Sequence, residues 1–129
     1  MKNEIIGMAK GVEASLVLIK SNDQLLFALE NNKHITPNPK ICLVSSPEIV
    51  KHFFVPITKD LDNHTRKNGS VISTLTCNSF CEVLNVYKIN RDTFEFIMYY
   101  NYRRPKSKSC VDSVCLRTHD LEQLVNIQL

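Results

Sequence analysis

The chain has 129 residues, enough for one domain whose core needs no disulfide or metal staples. Apolar residues make up 43% and charged residues 22%, which excludes a disordered chain, and 3 Gly with 5 Pro exclude collagen-like and linker-rich ones. The formal net charge of +3 is too small to mark a partner by itself, and the absence of Trp excludes a Trp-based cage.

The first ten residues carry the acid Glu4 and no long apolar stretch, so no secretory signal is expected. No apolar run is long enough to predict a membrane span. Five cysteines, Cys42, Cys77, Cys81, Cys110 and Cys115, are an odd set. That predicts reduced thiols and an intracellular protein, nuclear or cytoplasmic.

Glu4 to Ala9 reads as a short strand, Ala14 to Lys20 as a second and Leu25 to Glu30 as a third. Ser21-Asn22-Asp23-Gln24 is a polar turn of the hairpin kind. A loop with two prolines, Asn31 to Pro39, leads to a fourth strand, Lys40 to Ser45. The period then changes. Ser46 suits a helix cap, Pro47 the first helical position and Glu48 the positive end of the dipole. Ile49, Val50, Phe53 and Phe54 form one apolar stripe, and Pro56 is expected to stop the helix.

Residues 58–69 read as a polar linker ending in the turn signal Asn68-Gly69. After it the same order returns: strands over Ser70 to Thr76, Phe80 to Ile89, Thr93 to Tyr102 and Val111 to Leu116. Thr118 is expected to cap a last helix with the face Leu121, Leu124, Val125 and Ile127. The stretch Asn22 to Leu29 aligns with Arg91 to Met98, and Leu43 to Ile49 with Cys115 to Leu121. The expectation is a single α+β domain, 1–129, built as a tandem β-β-β-β-α repeat with halves 1–57 and 70–129. Two antiparallel sheets and two short helices would form a pseudo-dimer in one chain. It would exist as a monomer with internal pseudo-symmetry or as a homodimer.

The chemistry-bearing residues gather in the second half. Residues 101–110 hold Arg103, Arg104, Lys106 and Lys108 without an acid, and all four tyrosines lie nearby. A single nucleic-acid strand needs cations for its backbone and flat side chains for its bases. Lys88, Arg91, Arg103, Arg104, Lys106 and Lys108 are the candidate phosphate contacts, with Lys33 and Lys40 on the matching loop of the first half. Tyr87 and Tyr99 are the candidate stacking residues, Tyr99 because it lies on the face away from Phe94, Phe96 and Met98. The same basic run also matches a nuclear import signal. The cysteine and histidine spacings fit no zinc site, so no metal is expected. No glycine-rich phosphate loop or nucleophile motif is present, so neither a cofactor nor an enzymatic activity is expected.

The residues from Val83 to Ile127 resemble the single-stranded-DNA-binding fold of the transcriptional positive-cofactor-four family. They comprise an alternating strand, the tight turn Asn90-Arg91-Asp92, the strand Phe94 to Tyr100, the basic run Arg103 to Lys108, a short strand and a capped helix. Tandem duplication of that unit resembles the whirly family. The resemblance implies single-stranded nucleic-acid binding, with little base specificity, in transcription or replication and beside the proteins of those processes. The rival expectation is a non-enzymatic protein-interaction module, for instance a viral factor docking on a host or viral partner. In that case exposed sheet edges and apolar residues such as Phe80 would matter more than cations.

Overall fold

Each half of the chain folds its four strands into one antiparallel meander, as a computed structural model shows for residues 2–76, 83–99 and 110–129, with Cys110 and Val111 described by backbone alone. The first sheet is β1 (Glu4–Lys10), β2 (Ala14–Ser21), β3 (Gln24–Asn31) and β4 (Leu43–Ser45), and leads into α1 (Pro47–Asn63). The second is β5 (Val71–Thr76), β6 (Val83–Asn90), β7 (Thr93–Tyr99) and β8 (Cys110–Arg117), and leads into α2 (Thr118–Val125). Both sheets keep sequence order, each strand pairing with the next. The fold is α+β with the β-β-β-β-α pattern repeated twice.

Register makes the repeat exact enough to superpose by pairing. The β2–β3 hairpin closes at Ser21 and Gln24, and the β6–β7 hairpin at Asn90 and Thr93. Asn22 opens the first turn at φ 57°, a left-handed conformation that a short polar side chain tolerates. Both first strands carry an irregularity at the same place: Ile5 and Gly7 flank one, Val71 and Ser73 the other. An extra residue bends a strand and increases its twist, so a matched bulge is a shared device of the two halves. Phe27 faces Leu43 and Phe96 faces Val114, so Leu43 corresponds to Val114. The sequence alignment with Cys115 is therefore off by one residue.

Two helix expectations are corrected. Pro56 lies inside α1, which runs 17 residues to Asn63 and takes in the first part of the expected linker. Proline removes one backbone donor and clashes one turn back, but a buried stripe of Val50, Phe53, Phe54 and Ile57 holds the helix through it. The N-cap of α2 is Arg117, not Thr118, and the Asp120 carboxylate accepts the Arg117 N–H at 3.1 Å. Ser46 does cap α1, its hydroxyl accepting from the Ile49 N–H.

The helices exchange partners. α1 packs on β5 of the second sheet, and α2 packs on β1 of the first. At equivalent positions Gly7 lies under Leu124 of α2 and Ile127 just past its end, while the Ser73 hydroxyl donates to the Phe53 C=O of α1 at 2.8 Å. Phe53 sits edge-on to Phe27 of the first sheet, with centroids 5.9 Å apart, and to Phe96 of the second, at 6.5 Å. One continuous core therefore joins both sheets and both helices.

The outer faces differ. On the first sheet Val17, Ile19 and Leu26 form a second apolar cluster, packed against Ile35 and Cys42 of the β3–β4 loop. The Asn3 side-chain amide donates to the Pro37 C=O and to Asn38 Oδ1, and the Thr36 N–H donates to Glu30, fixing that loop across the face. The equivalent positions on the second sheet are polar, since Asn85 corresponds to Val17, Tyr87 to Ile19 and Glu95 to Leu26. Among the described residues no helix is long and apolar enough to cross a membrane.

Candidate nucleic-acid interface

Strand alternation builds the site. On β6 and β7 the residues Leu84, Val86, Phe94, Phe96 and Met98 point into the core. The residues between them, Asn85, Tyr87, Glu95, Ile97 and Tyr99, therefore share the outer face and are half-buried. Thr74 on β5 and Ser113, Cys115 and Arg117 on β8 extend that face sideways through their pairing.

A hydrogen-bonded chain crosses three strands of this face. The Thr74 hydroxyl donates to Asn85 Oδ1 at 2.8 Å, and Asn85 Nδ2 donates to the Tyr87 hydroxyl at 3.2 Å. The Tyr87 and Tyr99 hydroxyls meet at 3.3 Å. Tyr87 lies opposite Glu95 and Tyr99 opposite Val83, so the two rings converge diagonally across β6 and β7. Fixing both hydroxyls limits the ring rotamers, which lowers the ordering cost of stacking a planar ligand. The arrangement offers aromatic surface, an amide and hydroxyls together, the groups a nucleobase uses.

The candidate cations other than Lys88 divide into three groups. Arg91 is exposed at the tip of the β6–β7 hairpin, beside this face. Lys33 and Lys40 are also exposed, on the loop that lies over the outer face of the first sheet, and share no sheet with the two tyrosines. That loop does not project as a free basic hairpin. Arg103, Arg104, Lys106 and Lys108 lie outside the described residues, although the residues flanking their segment, Tyr99 and Cys110, are paired. Phe80, Cys77, Cys81, Tyr100 and Tyr102 lie outside them as well.

Lys88 requires a correction. It is 2% exposed, and its ammonium sits 2.6 Å from Asp60 Oδ2 and 5.8 Å from the Phe94 ring centroid. Alternation carries Lys88 onto the core face with Leu84 and Val86, just before the irregularity between Lys88 and Asn90. It joins α1 to the second sheet and is not available to phosphate.

Sequence reasoning missed Asn85, Thr74 and Arg117. Asn85 and Tyr87 are two residues apart on one strand, so strict alternation already placed them on one face. Thr74 and Arg117 needed the cross-strand register. Cys115 is exposed on the same face, yet partial burial of its thiol and then the Glu95 carboxylate push its pKa up. The thiol therefore stays protonated at neutral pH and is a poor nucleophile. Among the described residues no three His, Cys, Asp or Glu side chains converge as a metal site would need. Compared with protein-family models, curated proteins and solved structures, the chain matches none, so the likeness to the cofactor-four and whirly proteins rests on the order of its elements and the residues quoted for it.

Proposed function

We propose that this protein binds single-stranded nucleic acid, DNA in preference to RNA, on the outer face of its second sheet. Its place would be in transcription or replication, with little base specificity. The observation that supports this most is the convergence of Tyr87 and Tyr99 on a polar sheet face whose counterpart in the first half is apolar and sealed. Bases would stack on the two rings, and Arg91 would take phosphate at the hairpin tip. Glu95, central on the same face, repels a backbone laid directly over it. The strand would therefore turn its bases inward there and its phosphates outward. No step in this reading needs a cofactor.

Fluorescence anisotropy with a labelled single-stranded oligonucleotide and its duplex, at two salt concentrations, tests the proposal. Binding should prefer the single strand and weaken with salt. Stacking contributes about 1–3 kcal/mol per base, so replacing Tyr87 and Tyr99 together by Ala should weaken binding by at least about tenfold. The urea midpoint of that variant should move little, because both rings lie outside the main core. No binding by the native chain at low salt would refute the proposal and favour a protein-interaction module.

A further inference from the structure

We propose that the cleft where the two halves meet, between Lys10 and Arg117, holds a backbone phosphate of the strand whose bases rest on Tyr87 and Tyr99. The inference rests on the reading above and extends the footprint onto the first half. The cleft has a volume of about 490 Å³, and its walls come from the β1–β2 turn, from β7 and β8, and from the start of α2. Lys10, at the end of β1, and Arg117, at the end of β8, both line it, together with His119.

The convergence is fixed by backbone. A Cβ on Gly11 would fall 3.3 Å from the Cys115 C=O and 3.2 Å from Val114 Cγ2, so the turn of the first half is seated directly on β8. The Gly11 N–H also donates to the Ala14 C=O at 2.9 Å, closing the turn. Lys10 is thereby held beside a strand of the other half. Both Lys10 and Arg117 are exposed, and neither forms an ion pair among the described residues. The acid in the cleft, Asp120, is already engaged. Its Oδ1 lies 3.1 Å from His119 Nε2, and its Oδ2 accepts the Arg117 N–H at 3.1 Å.

The cleft continues the tyrosine face. Thr93 pairs with Arg117, Glu95 with Cys115 and Tyr87 with Glu95, so successive rows lead from the rings to the cleft. Six residues of β7 separate Tyr99 from Thr93, about 20 Å at ~3.4 Å per residue, a span of several nucleotides. The Thr118 N–H donates to the Asp92 C=O at 3.1 Å, which brings the Arg91 hairpin to the same end. Glu95 keeps phosphate off the centre of the face, and the cations at this end receive it. An ammonium and a planar guanidinium lining one cleft suit a phosphate oxygen cluster better than a neutral ligand.

The test uses the full chain and an oligothymidylate of about 15 nucleotides, long enough to cover both regions. The Lys10→Gln/Arg117→Gln variant should bind about tenfold more weakly at low salt. The slope of its log K against log salt should shrink by about 0.7, the contribution of the one phosphate that the cleft neutralises on a single strand. Removing two cations elsewhere, by Lys20→Gln with Lys59→Gln, should leave that slope unchanged. An unchanged slope in the cleft variant, or an equal loss in both variants, overturns the cleft assignment while the tyrosine face stands. Failure of the native chain to bind the oligonucleotide removes both readings.

Discussion

Lys88 and Lys20 occupy the same position in the two halves, opposite Phe94 and Leu25 respectively, yet one is buried and the other exposed. The difference comes from the helices. α1 is long enough to carry Asp60 over Lys88, whereas α2, at 8 residues, offers Lys20 no such cover. Asp60 is also fully used, because its Oδ1 accepts the Arg66 N–H at 2.9 Å. Removing one partner of a buried pair leaves the other charge uncompensated at a cost of about 3–5 kcal/mol. Lys88→Met should lower unfolding free energy by that order in urea titrations. Adding Asp60→Asn, which keeps the acceptor for Arg66, should recover part of the loss. Oligonucleotide affinity of the folded variant should be unchanged, because the ammonium faces Asp60 and not solvent. Alternation after Leu84 and Val86 already puts Lys88 on the inner face; what the sequence does not show is its partner there, an aspartate 28 residues away. Tyr87 and Tyr99 were legible in the same way, because alternation alone sets the face of a strand residue.

At the scale of elements, strand existence was readable and helix extent was not. β2 reads as a continuous apolar run because each of its faces joins an apolar cluster, while β6 alternates because its core residues Leu84 and Val86 lie on one face and polar ones on the other. Pro56 carries a strong local stop signal, but tertiary packing of Phe53, Phe54 and Ile57 overrides it. The docking of α2 on β1 turns on Gly7, a position with no turn to make and ordinary backbone. A Cβ there would fall 1.9 Å from Ile127 Cδ1 and 3.2 Å from Leu124 Cδ1. Gly7→Val should therefore displace α2 and cost about 1–3 kcal/mol, as overpacking does. Combining it with Ile127→Ala should restore part of that stability, measured by urea unfolding of the single and double variants. A loss that Ile127→Ala leaves unrelieved would mean that Leu124, wholly buried, sets the separation instead.

The whole molecule is two incomplete units that complete each other. Neither helix covers its own sheet's first strand; each covers its neighbour's, and Phe53 of one half is wedged between equivalent phenylalanines of both. A fragment ending near Arg66 would keep Phe53 and Phe54 against Phe27 but expose the rest of the first sheet's inner face and the part of α1 that packs on β5. A fragment starting there would expose the second sheet and α2. Fragments 1–66 and 67–129 should each show little cooperative unfolding alone, and should fold when mixed in equal amounts. The midpoint of the mixture should rise with concentration, because association replaces an intramolecular contact. Self-pairing of one fragment is the competing outcome, and the docking contacts oppose it. The first strand of one half presents Gly7, shaped to Leu124 of α2 and to Ile127 just past it, and that of the other presents Ser73, hydrogen-bonded to the backbone of α1. A self-paired first fragment would set α1 against Gly7, without the hydroxyl that holds it in the intact chain. Circular dichroism melts and sedimentation of each fragment decide the matter. A stable homodimer of either fragment would show that the two docking sites are interchangeable, and equimolar folding at the expense of both homodimers would show that they have become specific to each other.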